Sequence, residues 1–283
     1  MNHIELKQLI QFTFDNLEEN NFSTLAAPES PMWEAPLIGV AAGNDPYFDF
    51  LKQHIGDFHW TPAEAFALKY KSDPHVDPAK LRVVSMAFPQ TAETKRTQLA
   101  ETVCPSKNWL VSRGEWEPLL KTFSSRLLSK LASQGIRSVS IDLQPEFSVV
   151  KTGPLGIASR WSHRHYAYAA GLGTFGLSDG LITEKGKAVR FTSLIIEAPL
   201  EITRRTYSDP YDWCLYHQDG SCGKCIDRCP CSAISFQGHD KDACLDYEDY
   251  FESNLWPEGL ERKDYIIGCG LCQVGIPCQD KRP

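Results

Sequence analysis

The sequence predicts a mixed α/β (α+β) layer structure over residues 1–200, followed by a small cysteine-rich domain over residues 201–283. In the first part, apolar strand-like runs alternate with amphipathic helical segments. In the second part, nine of the ten cysteines lie between Cys214 and Cys278. The composition changes between Pro199 and Pro210, where an apolar strand gives way to cysteine-rich loops, and this change places the boundary between the two domains.

Hydrophobic periodicity predicts two helices and two strands at the start of the chain. Apolar residues recur at helical spacing over 4–20, and Thr61 with Pro62 provides a cap and first turn for a helix over 64–70. The continuous apolar run over 37–42 predicts a buried strand. Residues 81–88 predict a second strand, which ends at a proline.

The middle of the chain continues the alternation. A leucine-rich stripe predicts a helix over 117–134, which ends at a glycine. A strand over 138–143 and a helix over 160–170 are expected next. Residues 181–196 predict a hairpin that turns at Lys185 and Gly186, where Lys185 and Lys187 are expected to have no chemical role.

A glycine-rich run follows the predicted helix over 160–170. The run consists of Gly171, Leu172, Gly173, Thr174, Phe175 and Gly176 and fits the pattern G-x-G-x-x-G. A dinucleotide site requires a strand before this pattern and a helix after it, whereas here a helical segment precedes it and a strand follows. The sequence therefore disfavours a nucleotide fold. Glycines at a helix end still allow positive φ and a close approach of the backbone to a ligand or another segment.

The spacing of the cysteines predicts a metal-bound electron carrier. Cys222, Cys225 and Cys229 form the pattern C-x2-C-x3-C-P, in which the last cysteine of an iron–sulfur protein binds a different cluster from the first two. A second set of ligands is then required, and Cys244, Cys269 and Cys272 provide one. Two zinc sites are the alternative, because C-x2-C pairs also bind zinc.

These motifs together resemble the epoxyqueuosine reductase and reductive dehalogenase superfamily. The resemblance covers roughly residues 80–280 and rests on segments 165–176, 180–183, 189–195, 222–230, 240–247 and 268–273. It implies a nitroreductase-like cobalamin-binding core over 1–200 and a ferredoxin-like domain with two 4Fe–4S clusters over 201–283. It also implies that the glycine-rich run contributes to the cofactor site and that the clusters deliver electrons to cobalamin.

The resemblance also assigns cluster ligands. One cluster would be bound by Cys229, Cys244, Cys269 and Cys272, and the other by Cys222, Cys225 and Cys278. The chain departs from the family pattern at two positions, where Asp219 and Ile276 stand in place of cysteines. We expect Cys214 to be the fourth ligand of the cluster bound by Cys222, Cys225 and Cys278. Ligation by Asp219 and a three-iron cluster remain open, and Cys231 is a weaker candidate.

Asp142 resembles the aspartate that donates a proton in epoxyqueuosine reductases, because it follows a strand ahead of the glycine-rich run. Glu146 is the second choice. The alternative is that Asp142 caps a turn, which is a common role for an aspartate at the end of a strand. His163 and His165 are expected to be ordinary surface or core residues.

Charge and composition limit the partners. The formal net charge is −7, and residues 201–283 carry 9 Lys and Arg against 15 Asp and Glu, a net charge of −6. An acidic surface disfavours nucleic acid and suits a positively charged donor. We expect a low-potential donor of the flavodoxin or ferredoxin type. With no signal peptide, twin-arginine pair or apolar span in the sequence, we expect a cytoplasmic protein without membrane contact.

The sequence therefore predicts an enzyme, a cobalamin-dependent iron–sulfur reductase that acts on a small or nucleoside-type substrate. A tRNA substrate is possible but disfavoured, because the last residues are acidic and the helical-repeat region that often follows the clusters in epoxyqueuosine reductases is not seen before Pro283. The alternative is an electron carrier or reductive activator of a partner protein that has no cobalamin of its own.

Overall fold

A four-stranded antiparallel sheet forms the centre of the fold. In the computed structural model, which describes residues 1–22, 30–71, 76–152, 156–261 and 268–283, the sheet is built from β1 (Leu37–Ala42), β2 (Leu81–Pro89), β3 (Ser138–Ser140) and β8 (Val189–Glu197). The strands lie in the order β1-β2-β8-β3. Strand β8 pairs with β2 along its whole length and with β3 at its end, so it is a central strand.

Ten helices and three further strand pairs surround this sheet in the described part of the chain. The helices are α1 (His3–Asp15), α2 (Tyr47–Ile55), α3 (Pro62–Lys69), α4 (Ala92–Leu99), α5 (Lys107–Gly114), α6 (Trp116–Ser133), α7 (His163–Ala169), α8 (Leu215–Asp219), α9 (Lys224–Asp227) and α10 (Lys241–Asn254). The strand pairs are β4 (Val149–Thr152) with β5 (Gly156–Ser159), β6 (Gly173–Phe175) with β7 (Leu181–Thr183), and β9 (Ile234–Ser235) with β10 (Gly238–His239).

Side chains that alternate along each strand divide the interior into two cores. On one face, Val84 and Leu194 pack with apolar residues of α1 and α6. On the other face, Val83 and Ile195 pack with apolar residues of α2, α3 and α7. Because successive residues of a strand point to opposite faces, a run of consecutive apolar residues is what a sheet covered by helices on both sides requires.

The mixed α and β character predicted from the sequence is confirmed. The predicted segments overlap helices α1, α3, α6 and α7 and strands β1, β2 and β3, with ends that differ by a few residues. The cap at Thr61 is also present, since its hydroxyl accepts a hydrogen bond from the Glu64 amide, and the Thr61 amide donates one to the Glu64 carboxylate.

The predicted hairpin over 181–196 is wrong. Strand β7 pairs with β6, while β8 pairs with β2 and β3. The chain does turn between Thr183 and Gly186, but the two strands separate after the turn. The apolar residues Leu194, Ile195 and Ile196 of β8 have to be buried on both faces of the strand, and the central sheet offers this.

Helices α2, α4 and α5 were missed in the sequence. Helix α4 carries mostly polar side chains, so it lacks an apolar periodicity, and its start is fixed by Thr91, whose hydroxyl accepts a hydrogen bond from the Thr94 amide. Helix α5 begins in the same way at Ser106. These short helices depend on capping and tertiary packing more than on pattern.

The cysteine-rich part shares its packing with the rest of the molecule. Leu177 and Ile182, from the β6–β7 region, lie in one apolar cluster with Trp213, Cys214 and Cys225. Leu110 of α5 lies in another with Phe251 and Cys269. The predicted boundary near residue 200 therefore separates segments that pack against each other, and division into two domains remains a prediction.

We predict that Phe123→Ala lowers the free energy of unfolding by about 3–5 kcal/mol, the usual cost of emptying a buried phenylalanine site. Phe123 is fully buried and meets Phe88 edge to face at 5.5 Å between ring centroids. The measurement is urea unfolding followed by circular dichroism. Phe12→Ala is the control, because Phe12 is 56% exposed, and its loss should cost much less. Equal losses in the two variants would contradict this description of the core.

Candidate redox site

Four cysteines from three separate segments meet around one apolar cavity. These residues, here called the first thiol group, are Cys214, Cys222, Cys225 and Cys278. Leu177, Ile182, Trp213 and Ile276 complete the wall of the cavity. All ten cysteines of the chain are free thiols, so no disulfide competes for these sulfur atoms.

The backbone of the first part of the chain holds the first thiol group in place. The Trp213 amide donates a hydrogen bond of 2.9 Å to the Thr174 hydroxyl, which fixes the residue beside Cys214. The Lys187 amide donates a hydrogen bond of 2.8 Å to the Cys278 carbonyl. Strand β6 and the segment before β8 thus position Cys214 and Cys278, the first and last cysteines of this group along the chain.

A second set of cysteines lines a larger cavity of about 550 Å³. This second thiol group consists of Cys229, Cys244, Cys269 and Cys272, and Cys231 lies in the same cavity. The sulfur atoms of Cys229 and Cys231 are 3.8 Å apart. Cys231 was the weaker candidate from the sequence, and the structure places it beside the second thiol group.

Buried polar side chains fix the loop that carries Cys269. Helix α10 provides both Cys244 and, one turn later, Glu248, which accepts a hydrogen bond of 3.0 Å from the Cys269 amide. Gln98 of α4 donates to the Cys269 carbonyl at 3.0 Å. Arg228 donates to the carbonyls of Leu271 and Val274. Groups from three helices therefore hold this loop in a single conformation.

Burial disfavours thiolates at these positions. It raises the pKa of Cys225 to about 11 and that of Cys244 to about 12. Burial also raises the pKa of Cys269, Cys272 and Cys278. Since a metal ligand must be deprotonated, these buried thiols require bound cationic iron or zinc to become thiolates.

The two positions where the chain departs from the family pattern are well defined. Asp219 is exposed, and its carboxylate accepts a hydrogen bond of 2.8 Å from the Ser221 amide. It does not line the cavity of the first thiol group, whereas Cys214 does. Ile276 forms part of the wall of that cavity beside Cys278. Of the alternatives open from the sequence, the placement favours Cys214 over Asp219.

Lys187 lies between the two thiol groups. It is only 3% exposed, and its amine donates a hydrogen bond to the Ser178 hydroxyl. Burial lowers the pKa of Lys187, but negative charge on cysteines of both groups raises it, and the net result lies above the ordinary value. From the sequence, Lys187 was predicted at a hairpin tip with no chemical role.

Asp142 belongs to a chain of hydrogen bonds at the edge of the second cavity. It follows β3 in a 3-10 turn, Ile141–Leu143. Its Oδ1 lies 3.0 Å from His163 Nε2, and its Oδ2 accepts a hydrogen bond from the Thr192 hydroxyl. His163 Nδ1 lies 2.9 Å from the Ser193 hydroxyl, which accepts a hydrogen bond from the Trp161 indole at 2.8 Å. Asp142 thus faces the cavity with a fixed orientation.

The same cavity contains further charged groups. Glu117, at the start of α6, lines it together with Asp142. Burial, followed by the nearby Asp142 carboxylate, raises the pKa of Glu117. Arg190 of β8 also lines the cavity, and its buried Nε has no hydrogen-bond partner within the described residues.

A third cavity, of about 1000 Å³, adjoins the second and shares part of its lining. The shared residues include Val149, Ser162 and Arg164. Aromatic side chains line its other walls, namely Tyr47, Phe50, Tyr168, Phe175 and Tyr211. Together, the two cavities offer a large, partly aromatic space beside the second thiol group.

Most residues of the glycine-rich run pack against other segments of the protein and do not line a cavity. Gly173 has a φ of +159°, within extended backbone, and a Cβ there would lie 1.9 Å from the Ile182 carbonyl oxygen, so glycine allows the β6–β7 strands to meet. Of the six residues, Phe175 lines the third cavity and Gly176 lines that of the first thiol group. The run follows α7 and leads into a strand, which agrees with the rejection of a nucleotide site.

Several residues of this site were missed in the sequence. His163 was expected to be an ordinary histidine, but it contacts Asp142 across 21 positions of sequence, and no local pattern encodes such a pair. A weak signal existed in β8, where Arg190, Thr192 and Ser193 interrupt an otherwise apolar strand. Glu146, the second choice for a proton donor, is exposed and forms an ion pair with Lys71 at 3.7 Å.

Comparison with known proteins agrees with this arrangement. Residues 219–275 match the family described as a 4Fe-4S double cluster binding domain. Epoxyqueuosine reductase of Lactococcus garvieae is 28% identical over 201 residues, which are 69% of this chain and 50% of that protein. The protein of the same name from Staphylococcus aureus is 26% identical over 242 residues, 81% of this chain and 58% of that one. The chain spans about half the length of the curated relatives that it matches.

A solved structure has a similar fold. The catabolic reductive dehalogenase NpRdhA superposes with a TM-score of 0.50 at 16% identity, over 87% of this chain and 30% of that one. The fold and the two thiol groups therefore define a double-cluster iron–sulfur protein with a mixed α and β core. More particularly, the curated relatives that the chain resembles are epoxyqueuosine reductases, in agreement with the resemblance found in the sequence.

Two negative findings concern the described residues only. No helix among them is both long enough and apolar enough to cross a membrane. Nor do three or more of their His, Cys, Asp or Glu side chains form a group suited to a single metal ion.

We predict that Cys214→Ala loses about half of the bound iron and acid-labile sulfide, because one of two clusters loses a ligand. Asp219→Ala should retain the full iron and sulfide content, since the Asp219 carboxylate accepts a hydrogen bond from the Ser221 amide and does not line the cavity. The measurement is iron and sulfide analysis after anaerobic reconstitution. Full iron in Cys214→Ala together with a loss in Asp219→Ala would reverse the assignment.

Proposed function

We propose that this protein is an enzyme, an iron–sulfur reductase in which two 4Fe–4S clusters deliver electrons to a cobalamin that reduces a small or nucleoside-type substrate. The observation that carries the proposal is that the second thiol group and Asp142 line one cavity. An electron source and a proton source thus meet at one place. The names of the curated relatives support a reductase of the epoxyqueuosine type.

The first and second thiol groups are proposed as the ligands of the two clusters. Each offers four sulfur atoms around its own cavity, and the matched double-cluster region covers six of these eight cysteines. The ligand of one cluster, Cys229, lies only four residues after Cys225 of the other, which places the two clusters next to each other along the chain. Such closeness suits electron transfer between them.

The second and third cavities fit a large planar cofactor. Their aromatic lining can cover the face of a macrocycle, and the unpaired Nε of Arg190 can donate to an amide or phosphate oxygen. Bound there, cobalamin would supply the reducing centre of the reaction. We propose that the helices and sheet around these cavities are the nitroreductase-like core that the sequence predicted.

The residues of the chain would then control the proton. Asp142 can hold a proton at Oδ1, which it shares with His163 Nε2 at 3.0 Å. The Thr192 hydroxyl holds Oδ2, so the carboxyl group cannot rotate away from the cavity. Because Ser193 and Trp161 fix the imidazole from its other side, His163 orients the acid.

The substrate is tested by reconstituting the protein with iron, sulfide and cobalamin under anaerobic conditions. We expect a base-off cobalamin spectrum on binding and turnover of an epoxyqueuosine-type nucleoside, free or within a tRNA stem-loop, with a flavodoxin- or ferredoxin-type donor. Cluster reduction without any cobalamin binding would support an electron carrier or activator instead. A colourless protein that contains only zinc would overturn the redox proposal.

We predict that Asp142→Asn lowers turnover by about 10²–10⁴-fold, the usual contribution of a general acid, while cluster content and cobalamin binding stay unchanged. Glu146→Gln is the matched control, because this carboxylate is exposed and paired with Lys71. The measurement is steady-state turnover across a pH series. If Asp142→Asn retained the wild-type rate and pH profile, Asp142 would be only a cap.

A further inference from the structure

The buried side chain of Lys187 packs closely against Gly180. The aliphatic stem of Lys187 passes Gly180, where an added Cβ would lie 3.0 Å from three of its carbon atoms. The stem and its amine are almost fully buried, and the amine donates a hydrogen bond to Ser178. A buried ammonium group is costly unless opposite charge compensates it. We therefore expect negative charge near the Lys187 ammonium group.

Lys187 lies where the two thiol groups adjoin. Among the described residues, Lys187 is the one that lines the cavities of both groups. It shares the first cavity with Cys214, Cys225 and Cys278 and the second with Cys229 and Cys272. Ser178 links Lys187 to the second thiol group, since its hydroxyl contacts both the Lys187 amine and Cys272.

A fixed positive charge at this place has a defined effect on bound clusters. Each one-electron reduction adds one negative charge to a cluster with thiolate ligands. A nearby cation in a medium of low dielectric constant stabilises that added charge, so it makes reduction easier. Because Lys187 lines both cavities, the effect reaches both clusters.

We propose that Lys187 is a potential-setting residue that raises the reduction potentials of both clusters together and so keeps them close enough for electron transfer in either order. This inference rests on the proposed function only to the extent that the two thiol groups bind clusters; it does not require cobalamin or a particular substrate. It assigns a role to a lysine outside the cysteine motif itself.

The test is an anaerobic redox titration of the reconstituted full-length protein, followed by electron paramagnetic resonance. In Lys187→Met, which removes the charge and keeps the length of the side chain, we expect both potentials to become more negative. At a fixed potential, the ratio of reduced to oxidised cluster should fall about tenfold or more, and tenfold corresponds to about 59 mV for a one-electron couple. Iron and sulfide content should match the wild type.

Two variants serve as controls. Lys185→Met removes an exposed charge two residues away and should leave both potentials unchanged. Lys187→Gln is also neutral but keeps a group that can donate to Ser178, and it should reproduce the shift seen with methionine. Agreement of the two neutral variants would assign the shift to charge rather than to the lost hydrogen bond.

Unchanged potentials in variants with intact clusters would overturn the proposal. Loss of a cluster from both neutral variants would also overturn it, because Lys187 would then be needed for assembly and would not be a tuning charge. Failure of the proposed function has a different signature, since the wild-type protein itself would then lack two iron–sulfur signals or would contain zinc.

Discussion

The pairing of β2 with β8 is the contact on which the rest of the structure depends. The two strands pair in register from Leu81 with Glu197 to Pro89 with Val189. This pairing buries β8 between two helical layers, so the strand cannot shift by one residue without exchanging its two faces. The register therefore also sets the positions of the polar residues near the start of β8.

Those polar residues connect the sheet to the chemistry of the site. Thr192 reaches Asp142 and Ser193 reaches His163, while Arg190 lines the cavity beside them. Two residues before the strand, Lys187 lies between the thiol groups and holds the Cys278 backbone. Strand β8 thus orients the Asp142 and His163 side chains, and the segment that leads into it carries Lys187. Because Thr192 and Ser193 lie on a paired strand, the register of the core fixes these two contacts.

The sequence predicted the parts of this protein that have a local signature. Apolar periodicity located the strands β1 and β2 and the long helix α6, and cysteine spacing predicted two separate ligand sets. The helices α4 and α5 were not predicted, because their stability depends on caps and on packing against the cysteine loops. The hairpin after Leu181 was wrongly predicted because a tight turn at Gly186 is local, whereas the partner of β8 is decided by burial of both its faces. The pairing of Asp142 with His163, and the place of Lys187, depend on this same long-range register.

The glycine-rich run matches a ligand-binding pattern, but most of its residues make structural contacts. Its pattern resembles the family, yet most of its residues serve the contact between β6 and β7 and the support of Trp213. Support of Trp213 places Cys214 at the cavity of the first thiol group, which Asp219 does not line. A turn with the pattern of a binding element thus contributes to the site through the thiol that it positions. Because the segments before and after residue 200 each supply only part of each wall, the site depends on their packing against each other, and a variant that loosens this packing would disturb both thiol groups and the surroundings of Asp142 together.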